Sequence, residues 1–199
     1  MNQFTKEQAD FISFLERQQG PTGRANLAEL RRAATDPLGD FRDVRILGQH
    51  LPSGNEIVFD TYRLMATLFA LYATKFWDKS NQLKLPRFNG DTKKRSMGAS
   101  LRLLRNGLSV GQESLDMRFS SLLDTPAEDL AVPLRNIIQR IATADKRIPI
   151  DFSVLLADLL YWDTDDTRRR WARDYWQAAG GELTESATET PEVINQTNV

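Results

Sequence analysis

Apolar residues recur along this chain at three- and four-residue spacings, and no stretch alternates long enough to suggest a strand. Near the start, Thr5 and Gln8 have the spacing of a capping box, and Phe11, Phe14 and Leu15 continue an apolar face behind them. Gly20-Pro21 is expected to end that helix. A second helix is predicted over about residues 24–35, with Leu27, Leu30 and Ala34 inward, and it should stop before Asp36-Pro37. Residues 57–77 are apolar nearly all round (Phe59, Tyr62, Met65, Leu68, Phe69 and Tyr72 among them), as suits a central helix buried by its neighbours. Met97, Leu101, Leu104 and Leu108 make the apolar stripe of another.

The second half continues in the same manner. Residues 115–123 read as helix, and Thr125-Pro126-Ala127-Glu128 reads as a helix start with proline at the first position. Pro133 then falls where a helix interior is expected, so a kink or break is predicted. Asp151 should cap a helix carrying Leu155, Leu156, Leu159 and Leu160. After the acidic turn at Asp163, Asp165 and Asp166, a last helix should reach Ala179 and close at Gly180. The pattern specifies an all-α fold, a compact bundle of about seven to nine helices.

At 199 residues and 41% hydrophobic content the chain can bury one good core. Residues 180–199 carry four glutamates, no Lys or Arg, and many Thr, Ser, Gln and Asn. Such a segment cannot bury enough apolar surface to order itself, so a helical domain over 1–179 and a disordered acidic tail are expected. Without that tail, 26 basic residues stand against 23 acidic ones, and the body is mildly basic. The absence of cysteine excludes disulfides and thiolate metal sites, and a lone histidine, His50, excludes His-rich metal triads. The start is polar, with no signal-peptide run, and the most apolar window, 64–74, is too short to span a bilayer. A soluble cytoplasmic protein without membrane contact is the expectation.

The charge is clustered. Seven basic residues (Lys84, Arg87, Lys93, Lys94, Arg95, Arg102, Arg105) face one acid, Asp91, over residues 84–105. Self-repulsion makes such a cluster costly unless an anionic partner meets it. Residues 89–96 have turn chemistry and should form an exposed loop running into a helix. On that helix Arg95, Arg102 and Arg105 would fall within about 80° of one another. Arg24 and Arg31, seven residues apart, share a face with Arg32 beside them. Phe88, next to Arg87, is either a loop anchor or a surface on which an unpaired base stacks.

Other constellations carry less. Asp158, Asp163, Asp165 and Asp166 lack cation-loop spacing and are expected to favour a helix N-terminus instead. His50 has no nucleophile or acid at catalytic spacing, and no glycine-rich phosphate loop occurs. The tryptophans (Trp77, Trp162, Trp171, Trp176) and Tyr175 are expected in the core or at an interface. Arg168, Arg169, Arg170 and Arg173 should pair locally with nearby aspartates.

Several segments together resemble one family, the CasB small subunit of the type I-E Cascade CRISPR surveillance complex. They are Arg24-Ala25 with Leu30-Arg31-Arg32, Gly98 with Ser100-Leu101, Arg118-Phe119 with Leu122-Leu123, and Leu134-Arg135. Ile150-Asp151-Phe152 with Leu156 and Asp158-Leu159, Trp162, and residues 171–176 complete the series, in order, over most of the chain. The resemblance implies a helical protein with no enzymatic activity and no cofactor. It implies two copies in a crRNA-guided complex, beside the backbone and large Cascade subunits, helping to hold the R-loop by contacting the crRNA-paired target strand and the displaced DNA strand through basic surfaces. Its basic positions would be Arg24, Arg31, Arg32, Lys93, Lys94, Arg95, Arg102, Arg118 and Arg135, with Arg105 added from the helical-face argument. Two rival classes are a helical module docking an acidic protein and a metal-dependent nuclease. For the second, only Asp91 lies near the basic loop.

Overall fold

A computed structural model describes residues 5–33, 42–53, 55–88 and 95–176. Among these residues nine α-helices follow one another: α1 (Lys6–Glu16), α2 (Gly20–Ala33), α3 (Arg42–Leu47), α4 (Glu56–Ala73), α5 (Met97–Gly107), α6 (Gln112–Leu123), α7 (Ala131–Thr143), α8 (Phe152–Leu160) and α9 (Asp165–Trp176). Strand pairing among the described residues is limited to one antiparallel bridge, Trp77 with Leu83. The all-α bundle expected from periodicity is the fold.

The capping box at the start forms as expected. Gln8 N donates to Thr5 Oγ1 at 3.3 Å, and Thr5 N donates to Gln8 Oε1 at 3.0 Å. Helix α4 is the hub, with residues 65–70 buried without interruption. It packs against α2 and α3 and against α7 and α8. Phe69 and Tyr72 of α4 meet the Phe152 ring at 5.0 and 5.4 Å between centroids, and the Tyr72 hydroxyl donates to the Ile148 carbonyl at 2.5 Å. Asp151 caps α8, its carboxylate accepting from the Ser153 and Val154 N–H groups.

Helices α5 and α9 form a second close pair. Gly98 lies against the Trp171 backbone so closely that a Cβ would overlap it. Ser96 donates to Asp174 at 2.5 Å beside that crossing. Trp171 and Trp162 are buried edge to face, 4.9 Å apart, and the Trp162 Nε1–H donates to the Thr125 carbonyl at 2.8 Å.

Five local expectations require correction. Helix α1 stops at Glu16, and Gly20-Pro21 opens α2 instead of ending α1. Gly20 has φ +71°, and Pro21 sits in the first turn, where its missing N–H is no loss. Pro133 likewise falls in the first turn of α7, so no kink arises there, and Thr125-Pro126 leads into a short 3-10 turn at Ala127–Asp129. The central helix ends at Ala73 and passes into a 3-10 turn, Thr74–Phe76, so Trp77 is not helical. Arg95 precedes the α5 cap, Ser96, and so does not share a helical face with Arg102 and Arg105. The expected acidic tail at 180–199 and its Gly180 cap, the loop residues 89–94 with Lys93 and Lys94, and Asp36-Pro37 lie outside the described residues.

Candidate nucleic-acid interface

Three of the candidate arginines stand on α2. Arg24 is exposed and donates to Asn81 Oδ1 at 3.0 Å, its guanidinium 6.0 Å from the Trp77 ring centre. Arg31 and Arg32 are exposed in the last turn, where the partial negative charge of the helix C-terminus favours cations. Both residues are therefore exposed at the end of a helix.

The others belong to the second half of the bundle. Arg102 is half-buried on α5, Arg118 is exposed on α6, and Arg135 is half-buried on α7 with a buried Nε that has no acceptor among the described residues. Arg105 is held differently. Its Nε and Nη2 donate to the two oxygens of Asp116 at 2.8 and 3.1 Å, and Asp116 also accepts from the Tyr175 hydroxyl at 2.5 Å. The Arg105 hydrogen bond, then Tyr175, holds the Asp116 carboxyl below its ordinary range against the opposing effect of burial. Burial and the Asp116 carboxylate push the Tyr175 hydroxyl upward. This trio ties α5, α6 and α9 together, which is a scaffold role whatever else Arg105 touches.

Helix α4 packs with α2 and with α7, whereas α2 shares no substantial packing with α5, α6 or α7. The basic groups therefore stand on two sets of helices, one on α2 and one on α5–α7.

A cleft of about 660 Å³ opens between α1, residues 85–88 and the start of α8. Arg95 lies in it, 30% exposed, with Nη1 3.6 Å from Asp151 and a buried Nε that has no acceptor. Arg87 reaches over its mouth to Glu16 at 3.1 Å. Phe88, half-buried, lines the wall. Sequence had marked Phe88 through its basic neighbour. The cleft itself had no signal, because it joins residues from four distant segments.

The acidic candidates separate. Asp158 is buried, accepts from Arg170, and takes the Trp171 Nε1–H at 2.6 Å. Burial pushes its carboxyl upward, while Trp171 and Arg170 oppose the shift. Asp165 lies exposed at the start of α9 and pairs with Arg168 at 3.0 Å and Arg169 at 3.2 Å, so local pairing holds for these two, whereas Arg170 reaches back to Asp158 on α8. Among the described residues no group of three or more His, Asp or Glu could hold a metal ion. His50 stacks on Phe14 at 3.9 Å between ring centroids. Of the tryptophans, Trp162 and Trp171 are core, Trp77 is half-buried and Trp176 is 50% exposed. Among the described residues no helix is long and apolar enough to cross a membrane.

Comparison with known proteins points one way. A family model described as CRISPR-associated protein Cse2 matches residues 26–176. The fold is similar to that of CasB from M. ruber, with a TM-score of 0.57 and 25% identity, covering 86% of this chain and 93% of the other. It is also similar to a CRISPR-associated Cse2-family protein from Thermus thermophilus, with a TM-score of 0.60 and 26% identity over 86% and 98%. CasB from Thermobifida fusca shares the fold at 21% identity and a TM-score of 0.60 over 87% and 99%. No curated protein matches the chain.

Proposed function

The chain belongs to the CRISPR-associated Cse2 family, the CasB-type small subunits of Cascade, and on that premise we propose that it is a non-catalytic subunit stabilising the R-loop of a crRNA-guided complex. Its basic surfaces would hold the target strand, the displaced strand or both, beside the other Cascade subunits and a second copy of itself, in the cytoplasm. Arg24, Arg31, Arg32, Arg102, Arg118 and Arg135 are the contacts proposed on described helices, with Arg95 at the cleft. Lys93 and Lys94 extend the set, and Arg105 joins it through whatever face its pairing with Asp116 leaves open.

The observation that carries this reading is the distribution of the arginines over two separate sets of helices. Phosphate contacts need only positive charge placed along a path, whereas reading bases needs converging donors and acceptors in a groove. Exchanging a DNA duplex for a guide–target duplex is nearly balanced in free energy, so backbone contacts of this kind can tip it. A mildly basic body is also consistent, because docking within an assembly raises effective concentration and makes strong intrinsic affinity unnecessary.

The test is salt-dependent binding of the full chain to single-stranded DNA. If four phosphates are neutralised, log affinity should fall against log salt with a slope of about −3. Arg31→Glu and Arg118→Glu should each flatten that slope by about 0.7 while leaving the melting temperature unchanged. Affinity indifferent to salt, with binding to an acidic protein instead, would overturn the proposal.

A further inference from the structure

We propose that the cleft between α1, residues 85–88 and α8 takes one unstacked base of a single strand, with Phe88 as the stacking surface. The proposal rests on the nucleic-acid reading above and adds a base-binding site to a surface otherwise described by phosphate contacts.

Size comes first. A cleft of about 660 Å³ lies within the range of about 300–1,000 Å³ usual for small-molecule sites. It can receive a nucleotide projected from a strand, and it cannot receive a duplex. Its walls are mixed, and their apolar side chains are Ile12 from α1, Leu85 and Phe88 from the loop, and Phe152 and Val154 from α8 among others. An aromatic ring among apolar side chains suits a planar ring system.

Charge then discriminates between the parts of a nucleotide. Arg87, Arg95 and Arg170 line the cleft, and so do Glu16, Asp151 and Asp158, each paired with one of them. Among the described residues the cations and carboxylates of the lining are matched, so these side chains offer no excess positive charge to a phosphate. A neutral base fits there. Arg87, whose side chain is 74% exposed, stands at the mouth, where a flanking phosphate would pass.

The third observation is Phe88 itself, a half-buried aromatic ring in the wall of the cleft next to exposed Arg87. Base–aromatic stacking needs only such a ring face and tolerates any base.

Equal-length oligonucleotides, one of deoxythymidine and one of abasic sugar-phosphate, separate this site from phosphate binding because their charge is the same. The full-length protein should bind the base-bearing strand about 5- to 150-fold more tightly, the range expected for stacking one base. Phe88→Ala should abolish the preference and bind the abasic strand as wild type does, with the same salt slope. Phe88→Trp should retain the preference, showing that an aromatic surface and not the loop's shape is responsible. Salt-dependent binding with equal affinity for both strands would overturn the base site and leave the phosphate reading standing, as would a preference that survives Phe88→Ala. Binding of neither strand would overturn both.

Discussion

Gly98→Ala is the most direct test of how α5 and α9 are joined. Intrinsic propensity favours the change, since alanine is better than glycine in a helix interior by about 1 kcal/mol, and by less so near an N-terminus. Position 98 is the second residue of α5. The structure predicts the opposite sign, because an added Cβ meets the carbonyl, C and Cα of Trp171. Those are backbone atoms of a helix whose tryptophan is fully buried, so relief requires α5 and α9 to move apart. Overpacking of a core typically costs about 1–3 kcal/mol. Set against a propensity gain of about 0.5 kcal/mol, the net loss should be about 0.5–2.5 kcal/mol, a fall of up to several degrees in melting temperature at about 2–4 °C per kcal/mol for a chain of this size.

Gly107→Ala serves as the control, at the far end of the same helix. There the nearest atom to a new Cβ is Lys146 Cδ at 3.2 Å, on a flexible exposed side chain that can swing away. Its effect should stay within about 0.5 kcal/mol. Urea unfolding of both variants, followed by circular dichroism, gives the comparison. A Gly98→Ala chain as stable as wild type, or more stable than Gly107→Ala, would refute the α5–α9 crossing described above.

Two further substitutions test the core and the polar network. Trp162→Ala removes a buried ring, its contact with Trp171 and its hydrogen bond to Thr125, so chemical denaturation should show a loss of about 3–5 kcal/mol, whereas half-exposed Trp176→Ala should cost clearly less. Asp116→Asn tests pH dependence. Because Arg105 and Tyr175 hold the Asp116 carboxyl below the unfolded value of about 3.9, its contribution is complete above that value and is lost as pH falls through the folded one. The stability gap between wild type and Asp116→Asn should therefore be constant near neutrality and shrink in acid, measured by urea midpoints across pH. A gap that widens on acidification would contradict the geometry.

Local signals succeeded wherever the deciding interaction was itself local. The Thr5–Gln8 box and the Asp151 cap involve residues within a few positions of each other, so spacing alone specified them. The all-round apolar stretch of α4 announced its place at the centre, because only neighbours on every side can cover such a helix. Prolines and glycines were recognised as punctuation but read on the wrong side. Gly20-Pro21 and Pro133 sit at helix starts, and proline residues within a first turn and within an interior differ only in where the preceding turn begins.

Fold class, the central helix, the clustered charge and the candidate arginines were thus determined by the sequence itself, since periodicity and charge are properties of the chain alone. Only the tertiary structure decided what those arginines face. Asp116 lies eleven positions from Arg105 on the next helix, and Asp151 lies far along the chain from Arg95, so neither pairing leaves a mark in local spacing. The cleft at Phe88 and the backbone contact of Gly98 with Trp171 likewise exist only once distant helices pack, because each requires segments whose proximity is set by burial of a shared core.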